Sequence, residues 1–243
     1  MTVSKDMKLH DNKSNYVVAM SNALVQSGYA LTLNEKRLVA LAASKIDSRK
    51  PMKSPSIRIT ASEFEKTYGV AQKVSFRDLR AAGRGLFDRK ITFIEKGKRG
   101  QIITDIRWVN KAKYYEGEGW IELQFYDELV PHLTKLTKRF TTYKLEQAKA
   151  LKRMYSWRIL ELMMMHKSHG HFEMNLDEFI KALELPKSYH LYKNMRNRVL
   201  DPCCKELSKN SGYTVEYTAL KAGRKVKRLV FDFYPQNQLD LGV

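Results

Sequence analysis

The chain has 243 residues, which suits one large domain or two small ones, and 43% of them are hydrophobic, enough to build buried cores. Lysine and arginine outnumber aspartate and glutamate by 44 to 26, and the formal net charge of +18 favours a polyanionic partner, either nucleic acid or an anionic membrane surface. No apolar run approaches the ~20 residues that a membrane span needs, and the first residues lack the apolar core of a secretory signal, so the sequence predicts neither a membrane-spanning nor a secreted protein.

The first half of the chain is predicted to contain both helices and strands. Apolar residues recur at helical spacing in residues 31–47, and Thr32 with Glu35 forms a capping box at their start. Thr60 and Glu63 repeat that spacing before a second, short helix. After a flexible N-terminus at 1–15, the predicted elements are a helix at 31–47, a strand at 56–60, a short helix at 60–70, a basic helix at 74–90, a hairpin at 90–109 turning at "KGKRG", a strand at 120–125 and a helix at 126–138.

The second half repeats this order. Asn175 and Glu178 copy the spacing of the earlier Thr60 and Glu63. Agreement between two independent stretches strengthens both assignments. The predicted elements are a long helix at 145–167, a strand at 171–175, a short helix at 175–185, a basic helix from 188 to about 210 and a hairpin at 213–234 turning near "KAGRK".

A long helix followed by a helix–turn–helix and a β-hairpin is the outline of a winged helix. The sequence therefore predicts an α+β protein of two tandem winged-helix domains, mostly helical, with β-hairpins as wings. We place the N-terminal domain at 16–140, for DNA binding and dimerisation, and the C-terminal domain at 141–243, for the main sequence-specific DNA binding.

The basic helix of the second half has few apolar residues, and no acid occurs between Glu184 and Asp201. Because the second helix of a helix–turn–helix enters the DNA major groove, its outer face must be basic and polar. Arginine can donate two parallel hydrogen bonds to guanine and asparagine can pair with adenine, whereas tyrosine can pack on sugars or bind phosphate. The candidate DNA-binding residues are Tyr189, Tyr192, Lys193, Arg196, Asn197 and Arg198, and the expected inner anchors are Leu191, Met195, Val199 and Leu207.

Basic residues also gather at both predicted hairpin tips and on the first basic helix. A wing would lie along the DNA backbone or reach the minor groove; a solvated hairpin tip is the alternative. Asp78 and Asp88 dilute the positive charge of the first basic helix, so we expect the second half to read sequence more strongly, while Gly83 and Gly85 would let a backbone approach closely. The further DNA-binding candidates are Lys221, Arg224, Lys225, Lys227 and Arg228 in the second hairpin, Lys96, Lys98 and Arg99 in the first hairpin as its matching wing, and Arg77, Arg80 and Arg84 on the first basic helix, whose expected inner residues are Phe76, Leu79, Leu86 and Phe87.

No motif predicts catalysis, a cofactor or a metal. His166, His169 and His171 are close in sequence but have no nearby cysteine or paired acid, so we expect a helix end and a turn rather than a metal site. No phosphate-binding P-loop pattern occurs. Cys203 and Cys204 are adjacent, cannot pair without strain, and are expected to pack in a helix, which favours a reducing cytoplasm.

The ordered set of elements resembles the theta-type plasmid replication initiators of bacteria, the iteron-binding Rep proteins. The resemblance runs from about Tyr16 to Tyr234. It is carried by "LTLNEKRLVALAASKID" after the opening "SNALVQSGYAL", by "RFTTYKLEQAKALKRMYSWRILELM" in the middle, and by "SYHLYKNMRNRVLDPCCKEL" and "YTVEYTALKAGRKVKRLVFDF" near the end.

This resemblance implies a non-enzymatic plasmid replication initiator. Such proteins bind repeated duplex origin sites as monomers, help to open the duplex, and recruit the host initiator and the replicative helicase. As dimers many repress their own promoter through contacts of the first domain, which here falls on residues 30–46 and the following hairpin. Two alternatives stay open: a tandem winged-helix transcription regulator, and a rolling-circle nickase, whose His-hydrophobic-His site is interrupted here by Gly170.

Overall fold

The computed structural model describes residues 16–52, 54, 56–70 and 72–236, with the side chains of 72–75 left out; the segment predicted to be a flexible N-terminus, 1–15, lies outside these residues. The earlier elements are β1 (Val17–Ser21), α1 (Asn22–Gln26), α2 (Leu33–Ser44), β2 (Ser56–Thr60), α3 (Ala61–Tyr68), α4 (Gln72–Asp88), β3 (Lys90–Gly97), β4 (Gly100–Arg107), β5 (Val109–Tyr115) and β6 (Trp120–Phe125). The later elements are a 3-10 turn (Val130–His132), β7 (Phe140–Lys144), α5 (Glu146–Lys149), α6 (Met154–Met165), β8 (His171–Asn175), α7 (Leu176–Ala182), a 3-10 turn (Lys187–Tyr189), α8 (Tyr192–Met195), a π-helical segment (Arg196–Leu200), α9 (Asp201–Asn210), β9 (Tyr213–Ala222) and β10 (Lys225–Pro235).

Two winged-helix units account for most of these elements, as the sequence predicts. In the first unit α2, β2, α3 and α4 are followed by the hairpin β5–β6, and β2 pairs antiparallel with β6 to give the sheet order β2-β6-β5. In the second unit α6, β8, α7 and the helix from α8 to α9 are followed by β9–β10, with the sheet order β8-β10-β9. The strand before the helix–turn–helix therefore pairs with the last strand of the hairpin in both units.

The hairpin β3–β4 is an insertion, and its assignment as the first unit's matching wing is wrong. It forms a two-stranded sheet of its own, whereas β5–β6 occupies the position that β9–β10 has in the second unit. The sequence shows two consecutive β-rich stretches at this point. Which of them becomes the wing depends on pairing with β2, a long-range contact that local patterning does not specify.

Caps were predicted correctly in the first unit and incorrectly in the second. The side chains of Thr32 and Thr60 each accept a hydrogen bond from the backbone N–H of the glutamate three residues on, Glu35 or Glu63. The carboxylate of that glutamate accepts a hydrogen bond from the backbone N–H of the threonine. Asn175 precedes α7, but its side chain makes no capping hydrogen bond. The shared spacing of Asn175 and Glu178 therefore does not extend to a shared cap.

The single long helix predicted at 145–167 is two helices, α5 and α6, separated by an extended segment. Tertiary partners replace the helical bonds there: the Leu151 carbonyl lies 3.5 Å from an Arg37 guanidinium nitrogen, and the Lys152 N–H donates to Glu206 at 2.9 Å. The helix predicted at 126–138 is also wrong, because only one 3-10 turn forms, with Pro131 in it and Lys135 at a φ of +52°.

A buried polar cluster joins the two units, and we call it the junction cluster: Tyr29, Lys36, Tyr143, Arg158 and Glu161. The Lys36 ammonium lies 2.5 Å and the Arg158 guanidinium 3.0 Å from the Glu161 carboxylate, and all three side chains are fully buried. Although burial raises the pKa of Glu161, the charges of Lys36 and Arg158 outweigh it and hold that pKa below its usual value. The carboxylate is therefore ionised and ties α2 of the first unit to α6 of the second.

Arg158 extends this connection to the backbone. It donates to the carbonyls of Val25, Ser27 and Ala182 at 2.9, 2.9 and 3.0 Å. One continuous apolar core runs through both units around the cluster. Throughout the described ranges, every helix is too short or too polar to cross a membrane.

Candidate nucleic-acid interface

The basic helix of the second unit runs without interruption from Tyr192 to Asn210 through α8, the π-helical segment and α9, and we call it the second basic helix. Met195, Val199 and Leu207 are fully buried, as predicted for its inner face. Leu191 is wrong as an anchor: it is 65% exposed, because the helix begins only at the following residue. The π-helical segment coincides with the candidate readers, and such widened turns often occur at functional sites.

Lys193, Arg196 and Asn197 are exposed on the outer side of this helix. Arg196 is oriented by its Nε, which donates to Asp201 at 3.2 Å, and Asp201 in turn accepts a hydrogen bond from Tyr217 on β9. Its two terminal nitrogens have no partner among the described residues, so the pair of donors that can bind guanine is available. The helix thus presents an arginine of fixed direction beside a lysine and an amide.

Arg198 is also exposed. It lines a pocket of about 360 Å³ between the two units, together with Leu31 of the first unit and Arg153. The two candidate tyrosines are half-buried: Tyr189 packs edge-on against Tyr155, with ring centroids 6.5 Å apart, and Tyr192 packs against the core. Both tyrosine side chains are partly buried and pack against the apolar core. Their predicted contact with sugar or phosphate stays a prediction.

The second wing, β9–β10, projects past its neighbouring strand. β8 pairs only with Arg228–Asp232, so the pairs from Lys221 to Val226 extend beyond it. A tight turn with Gly223 at a φ of +60° closes the tip, and Lys227 sits at a register shift. The exposed side chains with no ion-pair partner in the described part of the chain are Lys221, Arg224, Lys225 and Lys227. Arg228 differs, because it lies 2.9 Å from Glu173 on β8.

The arginines of the first basic helix, α4, all have local partners. Arg77 lies 3.3 Å from the neighbouring Asp78, Arg80 pairs with Glu116 at the tip of β5–β6, and Arg84 lies over the ring of Tyr114. Leu79 and Leu86 are buried and Phe76 is half-buried, as predicted, whereas Phe87 is wrong as an inward residue because it is 43% exposed beneath Arg107.

Gly85 is approached closely by a side chain of α2, and not by the backbone that the sequence predicts. A Cβ at this position would lie 2.0 Å from the Glu35 carboxylate, which receives a 3.0 Å hydrogen bond from Arg89. The absence of a side chain at Gly85 therefore lets α4 pack directly on α2.

The first unit's two hairpins carry opposite charge. The true wing, β5–β6, turns at residues 116–119 with Glu116 and Glu118. The inserted hairpin β3–β4 carries exposed Lys96, Lys98 and Arg99 at its tip. A groove of about 820 Å³ separates that tip from α7 of the second unit. The predicted role of these three cations in DNA binding stays a prediction, although the element that carries them is not the wing.

The histidines and cysteines do not form a metal site. His166 stacks on Phe172, and His171 hydrogen-bonds Asp232 at 2.9 Å. Within the part of the chain that the structure describes, no group of three or more histidine, cysteine or acidic side chains is arranged to hold a metal ion. Cys203 and Cys204 are buried and unpaired, and burial raises the pKa of both thiols to about 12.

Comparison with known proteins gives two family matches that cover most of the chain. Residues 17–164 match the family described as "Initiator Replication protein, WH1", and residues 175–233 match "Initiator Rep protein, WH2". A replication initiation protein of Escherichia coli is 29% identical over 236 residues, which cover 94% of this chain and 72% of the relative. A 27.6 kDa protein of Escherichia coli described as uncharacterized is 23% identical over 227 residues, covering 85% of this chain and 91% of that protein.

A solved structure has the same arrangement of elements. The crystal structure of the Pi initiator protein in complex with iteron DNA superimposes with a TM-score of 0.78 at 22% identity, covering 93% of this chain and all of that one. The likeness shows a shared two-unit fold.

Proposed function

Because the chain belongs to the family of initiator replication proteins with two winged-helix domains, we propose that it initiates plasmid DNA replication by binding repeated duplex sites, iterons, in the origin. The observation that carries this proposal is the exposed group Lys193, Arg196 and Asn197 on the second basic helix, next to a basic wing that projects past its sheet. Cation and amide donors in that arrangement fit a major-groove edge, with phosphates on either side.

The two units have unequal roles in this proposal. The second unit enters the major groove with its basic helix and reads bases, while Lys221, Arg224, Lys225 and Lys227 lie along the backbone. The first unit, whose arginines are engaged by Asp78 and Glu116, contributes fewer base contacts. The division into domains at 16–140 and 141–243 stays a prediction. The strand β7 (Phe140–Lys144), which pairs with β1, crosses the predicted boundary.

Further steps of initiation belong to the same proposal. Binding of several copies to the repeats promotes opening of the duplex and recruitment of the host initiator and the replicative helicase in the bacterial cytoplasm. A dimer formed through residues 30–46 and β3–β4 represses the protein's own promoter. The exposed Ile94, Ile102 and Ile103 on β3–β4 support a protein contact there. No step of this scheme requires a covalent reaction or a cofactor.

Footprinting on the DNA beside the gene tests the proposal. Two basic helices in successive major grooves should protect about 20 base pairs in each direct repeat, and the affinity should fall steeply with salt because several phosphates are neutralised. Absence of protected repeats would instead support a transcription regulator that acts elsewhere. Incubation of the protein and supercoiled origin DNA with Mg²⁺ or Mn²⁺ tests the nickase alternative, because relaxed circles would form only if the protein cut one strand.

A further inference from the structure

A basic groove of about 820 Å³ lies between the two winged-helix units. Its walls are α2 and α3 of the first unit, the extended segment between α5 and α6, and α9 of the second unit. We call it the interdomain groove and define it by its six cationic side chains: Arg37, Lys149, Lys152, Arg153, Lys205 and Lys209. The sequence does not reveal it, because these residues come from three separate segments.

The interdomain groove connects the two basic helices. On the first unit's side, Asp78 of α4 accepts from the Asn34 amide at 3.1 Å, and the Asn34 carbonyl oxygen accepts from Arg37 at 3.3 Å. On the second unit's side, Asp201, the carboxylate that orients Arg196, lines the groove itself. Arg37 at one side of the groove is therefore linked through Asn34 to Asp78 of the first basic helix, and Asp201 at the other side binds Arg196 of the second basic helix.

Positive charge dominates this surface. Glu206 is nearly buried, and its Oε1 accepts a hydrogen bond from the Lys152 N–H at 2.9 Å and lies 3.5 Å from the Arg153 guanidinium. Asp201 is occupied by Arg196. Lys152, Lys205 and Lys209 are exposed and have no ion-pair partner among the residues described. A polyanion laid along the groove would meet free ammonium groups and no uncompensated acid.

We propose that the interdomain groove binds the sugar-phosphate backbone of the duplex between its two major-groove contacts. This inference rests on the proposed function. DNA is stiff over one or two helical turns, its persistence length being about 150 base pairs, so a duplex that touches both basic helices must pass over the surface between them. Contacts there carry no base information; they fix how many base pairs separate the two contacted grooves.

The test replaces the two lysines of the groove that lie on one helix face, in the full-length protein. Affinity for DNA falls as salt rises, so the slope of log affinity against log salt is negative. The double variant Lys205→Ala with Lys209→Ala should make this slope shallower by about 1.8, because each lost phosphate contact reduces its magnitude by ~0.9. The loss of affinity should be equal for the iteron and for a scrambled duplex. In hydroxyl-radical footprints, protection should vanish between the two major-groove contacts and persist over them.

Two control proteins make the result specific. Lys138→Ala with Lys144→Ala removes the same charge from exposed positions outside the groove, and should leave both slope and footprint unchanged. Lys205→Arg with Lys209→Arg keeps the charge and should retain the wild-type slope, which separates lost contacts from lost folding. If wild-type protein binds the repeats and the alanine pair keeps its slope and central protection, the groove inference is overturned. If wild-type protein does not bind the repeats at all, the proposed function fails first.

Discussion

At the scale of single residues, the Arg196 side chain is oriented by hydrogen bonds within the protein. Asp201 holds its Nε, Tyr217 holds Asp201, and the terminal nitrogens face outward without a partner among the described residues. The hydrogen bond that Arg196 donates to the Asp201 carboxylate raises the pKa of this guanidinium. The second basic helix and its wing thus share one anchor, which sets the arginine before DNA arrives.

The Arg196→Ala variant should lose roughly 1–3 kcal/mol of binding free energy and part of its base preference, because a bidentate contact to a base edge disappears. Competition binding with the iteron and with single-base variants of it measures both effects. Arg228→Ala is the matched control, since Arg228 is similarly exposed and also paired with one acid, Glu173, but lies on β10 and not on the second basic helix; its effect should not depend on sequence. Wild-type affinity and preference in the Arg196 variant would contradict the assignment of the reading helix.

At the scale of elements, the two wings differ in charge although they occupy equivalent positions. The second wing carries Lys221, Arg224, Lys225 and Lys227 at its tip, whereas the first wing turns through Glu116 and Glu118. Since duplex DNA repels carboxylates and attracts ammonium groups, only the second wing is suited to lie on a phosphate backbone.

The Lys225→Ala variant should weaken binding to every duplex nearly equally. It should also reduce the magnitude of the slope of log affinity against log salt by about 0.9, as expected for one lost phosphate contact. Titrations of the iteron and of a scrambled duplex at several salt concentrations measure this effect. Lys138→Ala, an equally exposed lysine outside the interface, should change neither value. A loss seen only with the iteron would show that Lys225 reads bases instead.

The Glu116→Gln variant should bind any duplex about two- to fivefold more tightly at low salt, which corresponds to roughly 0.5–1 kcal/mol for an exposed ion pair. The substitution frees Arg80 on α4 and removes one negative charge beside it. Fluorescence anisotropy with a random duplex provides the measurement. Glu128→Gln removes the same charge from an exposed loop position and should have little effect; equal gains in both variants would exclude a role for Arg80.

At the scale of the whole molecule, the junction cluster determines how the two units sit relative to each other. Glu161 accepts from Lys36, Arg158, Tyr29 and Tyr143, and all five side chains are buried. Ordering them in one arrangement fixes α2 against α6, and thereby the distance between the two basic helices. We therefore expect these buried residues to set the spacing between the two DNA contacts without touching DNA themselves.

The Glu161→Gln variant should lower the free energy of unfolding by about 3–5 kcal/mol, because removal of the carboxylate leaves two buried cations without compensation. Urea denaturation followed by circular dichroism gives this value. Glu146→Gln, which breaks only the exposed pair with Lys149, should cost less than about 1 kcal/mol. Similar stability of the two variants would mean that the cluster does not hold the units together.

Local sequence patterns were sufficient to predict the features that depend on near neighbours along the chain. Capping boxes at Thr32 and Thr60, the buried stripe of Met195, Val199 and Leu207, and the glycine turn at Gly223 all follow from contacts within a few residues. The repeated order of these elements was enough to identify two winged helices and the basic helix that we propose reads DNA.

Which segments meet depends on contacts between residues far apart in the sequence. The choice of β5–β6 over β3–β4 as the first wing required pairing with β2, and the break between α5 and α6 required Arg37 and Glu206 to bind the chain at residues 151 and 152. The partners of Arg80 and Arg196, the interdomain groove and the junction cluster likewise join residues far apart in sequence. The free energy of burial and of charge compensation depends on the whole folded chain. Local sequence patterns therefore do not specify these contacts.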